Sequence, residues 1–134
     1  MHATLLISGR SVFIILGIGH AVLLLFTAKF EPKDAALLVQ LKTSKTGMSN
    51  TGNIWRGIKG FHLSHSLGIV IYGAFYTILA IENINYLKSS TALSVGLFVV
   101  PVIYIYLAQN YWFNLPRNCF ILATCLLTAS VFVR

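Results

Sequence analysis

Acidic residues are almost missing from this chain: Glu31, Asp34 and Glu82 are the only three among 134 residues. None lies inside a long apolar run. That removes the carboxylate which a Ser–His–acid triad, a di-iron centre or an acid–base pair needs at membrane depth. Charge of either sign is scarce, at 10% of residues, where soluble domains carry about 25%. With 57% hydrophobic residues, too few polar side chains remain to cover a fold in water, so the composition is that of an integral membrane protein. Cysteine is limited to Cys119 and Cys125, six apart in one apolar segment. Helical geometry sets them on opposite faces, so an internal disulfide is not expected. There is no internal repeat, low-complexity tract or second domain.

What the chain has is long apolar runs. A membrane helix needs roughly 20 mostly apolar residues to cross hydrocarbon about 30 Å thick. Four runs meet this, at about 3–28, 53–82, 91–111 and 115–133, and the expected fold is an all-α four-helix membrane bundle in a single domain, 1–134. The first run contains Arg10 and then an apolar stretch, 11–28, with no small-residue cleavage site after it, so it reads as a retained helix rather than a signal peptide. Arg10 is expected to snorkel to the headgroups. Pro32 and Asp34 open a stretch, 32–42, too short to span, which is expected to lie on the membrane surface. Residues 44–53 read as a polar link and 83–90 as a short turn. Pro101 interrupts the third run near its middle, a break that membrane helices accommodate. Tyr111, Trp112 and Phe113 form an aromatic belt at its end. Asn114 and Pro116 suit the start of the fourth.

Seven of the ten basic residues fall on one side of such an arrangement: Lys29, Lys33, Lys42, Lys45, Arg56, Lys59 and Arg117. Arg10, Lys88 and Arg134 fall on the other. The positive-inside rule puts the larger group in the cytoplasm and both termini outside. The net charge of +7 is thus explained by orientation, and no nucleic-acid partner is implied.

Polar residues inside these runs mark the candidate site, because they are costly in hydrocarbon. Counted from Phe30 and Trp55, His20 and His65 reach similar depths in the inner part of the membrane, with His62 one turn nearer the cytoplasm. Helical spacing groups His62, His65, Ser66, Tyr72 and Tyr76 on one face, and Arg10, Phe13, Gly17 and His20 on another. Tyr104, Tyr106, Gln109, Asn110 and Asn118 point to the same half. His20, His62, His65, Ser66 and Tyr72 are the candidate binding residues. A haem ligated by two histidines, a hydrogen-bonded quinone, a proton relay and plain interhelical packing all remain open. No metal set and no catalytic residue is expected. Gly17, Gly19, Ser64 and Gly68 are expected to let the two histidine-bearing helices approach closely.

The run W-R-G-I-K-G-F-H-L-S-H-S-L-G, 55–68, resembles the motif of an uncharacterised family of small four-helix bacterial membrane proteins. There a Trp-Arg pair precedes G-F-N-x-S-H-S-L-G, and the first helix carries G-x-x-H, matched here by Gly17 and His20. The stretch K-F-x-P-x-D, 29–34, resembles the family's first loop. His62 departs from the pattern where Asn is expected, which implies that His20 and His65 are the family-type pair and His62 a local substitution. The resemblance implies a bacterial inner-membrane location and brings no activity with it. The expected role is a non-enzymatic subunit of a larger membrane assembly, with lipid and other membrane subunits as partners. The alternative is a protein that holds haem, quinone or another hydrophobic ligand on its histidines.

Overall fold

Asn53 ends the polar stretch and begins the longest helix: its Oδ1 accepts from the Arg56 backbone N–H at 2.8 Å, satisfying one of the first-turn donors that a helix leaves open. The computed structural model describes residues 2–47, 49–112 and 114–132. Phe113, Val133 and Arg134 lie outside the described residues. Among the described residues, the elements in order are α1 (His2–Phe26), α2 (Ala35–Thr43), β1 (Lys45–Thr46), β2 (Ser49–Asn53), α3 (Ile54–Glu82), α4 (Ile84–Ser89), α5 (Thr91–Tyr111) and α6 (Asn114–Phe132). The fold is all-α apart from one small hairpin. Three helices are long and apolar enough to cross a membrane: Thr4–Phe26, Ile54–Glu82 and Thr91–Tyr111.

Two connections differ from the sequence expectation. The polar link at 44–53 forms an antiparallel hairpin, with Lys45 opposite Asn53 and Thr46 opposite Ser49. Polar, glycine-bearing segments pair when their ends are held together, and here the Ile54 N–H donates to Ser44 O at 3.1 Å. The expected turn at 83–90 is mostly helix α4. Asn83 caps it through the Tyr86 N–H at 3.1 Å, and Ser90 ends it while capping α5 through the Leu93 N–H. Asp34 caps α2, accepting from the N–H groups of Ala36 and Leu37 at 2.8 and 3.3 Å. The helix therefore starts just after Asp34 rather than around it.

The chain divides into two compact units, Met1–Leu16 with Ile69–Arg134, and Gly17–Gly68. The first holds the main core: Leu6, Phe13, Ile69, Tyr76, Leu87, Leu97, Ala108, Phe120, Ala123 and Leu127 are all buried. Phe13 is its centre, with the ring of Tyr72 at 5.0 Å and that of Phe120 at 5.4 Å. Glycines set the helix spacing in this unit. A Cβ on Gly73 would lie 2.8 Å from Ile14 Cγ1 and 3.0 Å from Arg10 O, and one on Gly9 would lie 3.1 Å from Ala123 O. Tyrosines tie α3 to α5, since Tyr72 and Tyr76 donate to the carbonyls of Leu97 and Leu93 at 2.7 and 3.0 Å.

Arg10 does not snorkel. Its side chain is fully buried in this unit, and its Nη1 donates to the Tyr76 carbonyl. The close approach of α1 to α3 at Gly73 covers the position, so the guanidinium is enclosed by protein before it can reach headgroups. Its Nε and Nη2 have no hydrogen-bond partner among the described residues.

The second unit contains the end of α1, α2, the hairpin and the start of α3. Trp55 and Leu24 are buried, and the Lys59 ammonium lies 5.9 Å from the Trp55 ring centroid. Helix α2 buries no residue and exposes Leu37 and Val39.

Candidate functional site, an imidazole cluster

Three histidines meet in the second unit. His20 comes from the last two turns of α1, and His62 and His65 come from one face of α3, three residues apart. His20 Nε2 and His62 Nδ1 are 3.0 Å apart, a hydrogen bond in which one ring carries the proton and the other accepts it. The ring of His65 stands edge-on to His20, with centroids 5.9 Å apart. Phe30, on the segment after α1, closes the cluster. Its ring lies 4.6 Å from that of His20 and 5.2 Å from that of His62. All three histidines are half-buried.

The expected nearness of His20 and His65 is present, but the hydrogen bond goes to His62, which therefore cannot be treated as a bystander. The reason lies in where α1 ends. Counting depth from Phe30 adds four residues that are not helical, since α1 stops at Phe26. From the true helix ends, His20 is six residues in, or about 9 Å, and His62 is eight residues in, or about 12 Å. His65, eleven residues in, is deeper than either. Depth from the observed helix ends thus favours His62 as the partner.

The other expected members behave differently. Ser66 is buried, but its hydroxyl donates to the His62 carbonyl one turn back, at 3.0 Å. That proton is used within the helix, and only the oxygen's lone pairs remain to accept. Tyr72 belongs to the other unit, where its hydroxyl is spent on Leu97. Gln109, Asn110 and Asn118 also belong there and find local partners: Arg117 donates to Gln109 Oε1 at 2.9 Å and to Asn118 Oδ1 at 3.3 Å, and Asn110 donates to the Tyr106 carbonyl. Gly19 and Gly68 do not bring helices together. A Cβ on either would meet nothing within 4 Å, whereas Gly17 is buried.

Chemically, a chain of imidazoles can pass a proton from ring to ring, or donate an N–H to a ligand carbonyl. The direct contact of His20 with His62 leaves no room for a porphyrin between those two rings. Among the described residues, no group of three or more His, Cys, Asp or Glu is arranged to hold a metal ion. The sequence reading missed Phe30 as the cover of the cluster. No local pattern marks it, because Phe30 lies past the expected helix end at 28 and its place depends on how the chain turns there. Comparisons with protein-family models, with curated proteins and with solved structures gave no match.

Proposed function

We propose that this chain is a four-span integral membrane protein, with α6 as its fourth span and α2 on the membrane surface, acting as a non-enzymatic subunit of a larger membrane assembly. Membership of the bacterial family that its 55–68 motif resembles, and termini on the non-cytoplasmic side of the inner membrane, are part of the same reading. One observation carries it. Gly57, Gly60, Ser64 and Gly68 form a single exposed face of α3, and a Cβ added to any of its three glycines would meet nothing within 4 Å. Gly9, Gly73 and Gly96, by contrast, each have an atom within 3.1 Å of that point. Gly9, Gly73 and Gly96 serve the chain's own packing, and this ladder is left open.

In lipid there is no hydrophobic drive between helices, so association depends on close backbone approach over small residues. A ladder at spacings of three and four residues supports the docking of a further helix there. The test replaces Gly60 and Gly68 by Ile and sizes the protein after mild extraction from its native membrane. The wild type is expected to run well above the size of one chain and the variants to run smaller while keeping their melting temperature. A wild type that runs as one chain defeats the reading.

The imidazole cluster favours a second reading, a hydrophobic ligand such as a quinone whose carbonyl accepts from a histidine N–H. The observation behind it is that three half-buried rings share one enclosure with Phe30.

A further inference from the structure

A groove of about 520 Å³ lies where α4 meets α5, lined by Lys88, Thr91, Ser94, Val95, Phe98 and Val99. Its lining changes character along α5. Lys88 and Thr91 are exposed at one end, Ser94 follows, and Val95, Phe98 and Val99 make the other end apolar. Positions 91, 94, 95, 98 and 99 share one helical face, so the gradient runs along the helix axis.

Depth gives the gradient a meaning. The apolar span begins at Thr91, so Lys88 and Thr91 stand at headgroup level. Val95 and Val99 lie four and eight residues further in, about 6 and 12 Å deeper. With α5 as a membrane span, a groove of this depth runs alongside the acyl chains. What distinguishes it is the cation at its mouth. No acid is among the lining residues, and among the described residues no ion pair involves Lys88, the one salt bridge there joining Lys42 to Glu31. The Ser94 hydroxyl donates to Leu87 O at 3.0 Å and keeps lone pairs only. The donors left for a headgroup are therefore the Lys88 ammonium and the Thr91 hydroxyl. An ammonium above an apolar slot complements a molecule that carries a phosphate anion above a hydrocarbon chain.

We propose that this groove is a binding site for one anionic phospholipid, its phosphate on Lys88 and Thr91 and an acyl chain along Val95, Phe98 and Val99. The proposal rests on the reading of α5 as a membrane span. It goes beyond the subunit reading, because the groove is on a different helix from the open ladder.

The test uses the full chain in nanodiscs of equal phosphatidylglycerol and phosphatidylcholine, with retained lipid read by native mass spectrometry. Membrane insertion of each variant is checked first by fractionation, and a chain absent from membranes counts against the four-span reading instead. The wild type is expected to retain phosphatidylglycerol over phosphatidylcholine. Lys88→Gln should lower that retention about fivefold, the worth of one cation near a headgroup, and Val95→Trp should lower it by filling the slot. Lys88 and Val95 are exposed, so both variants keep the core. Lys45→Gln, a basic position in the other unit, should change nothing. Equal retention of the two lipids overturns the proposal, as does equal loss in Lys45→Gln. So does displacement of the lipid by inorganic phosphate, which would mark a site for a soluble anion.

Discussion

Two residues show how far a side chain's role depends on what encloses it. His62 stands where the resembled motif has Asn, yet its Nδ1 holds His20 at 3.0 Å, and the ring of His65 stands edge-on to His20. Removing His62 leaves the His20 Nε2 without that bond, in a half-buried site closed by Phe30. A polar group stranded in this way costs about 1–3 kcal/mol. His62→Ala is therefore expected to lower the melting temperature in detergent, and His62→Asn, which keeps a polar group at that position, to lower it less. If the cluster holds a quinone, His62→Ala also lowers the amount retained through purification. A melting series on wild type and the two variants checks the order, and an unshifted His62→Ala sinks the assignment.

Arg10 is the opposite case, a charge that folding costs rather than gains from. It is fully buried, with one bond to a backbone carbonyl and two nitrogens without a partner among the described residues. A cation at mid-helix in a membrane is unfavourable by about 2.5–3.5 kcal/mol on insertion scales. Replacing a buried charge by an apolar side chain of similar length is often neutral or stabilising. Arg10→Met is expected to raise the melting temperature, while Arg10→Ala leaves a cavity and does not. A fall in Arg10→Met as large as in Arg10→Ala would show that the guanidinium has a partner.

At the scale of elements, glycine contributes in opposite ways on the same helix. On α3, Gly73 sits against α1, and a Cβ there would overlap Ile14 and press on the Arg10 backbone. Backbone cannot give way as a flexible side chain does, so the overlap costs about 1–3 kcal/mol. The better helix propensity of Ala returns only about 1 kcal/mol. Gly73→Ala is expected to destabilise on balance, and Gly19→Ala, which has nothing within 4 Å, to be neutral or slightly stabilising. Thermal melting of the two purified variants decides it, and equal stability would show that α1 does not approach α3 at Gly73. Helix ends follow a simpler rule. Asp34, Asn53, Asn83 and Ser90 each satisfy N–H groups of the helix they precede, which places four starts within a residue or so of where polar side chains stand in the sequence.

At the scale of the whole chain, composition alone determined the class. With 10% charged residues, the chain has three helices of 21 to 29 residues that are long and apolar enough to cross a membrane, and inside lipid helices satisfy their own backbone. The long helices were legible for that reason, since length and hydropathy are properties of a run and need no partner. The hairpin at 44–53 and helix α4 were not, because short polar segments take their form from what holds their ends. The site was legible in kind and not in pairing. His20, His62 and His65 are all visible as costly residues in apolar runs, but which ring meets which depends on where α1 stops and how closely it meets a neighbour. The fate of Arg10 was decided in the same way. Sequence gave its depth, and a side chain at that depth can reach headgroups or be enclosed. Enclosure follows here from the close approach of α1 to α3 at Gly73, a contact between residues 63 positions apart that no local pattern encodes.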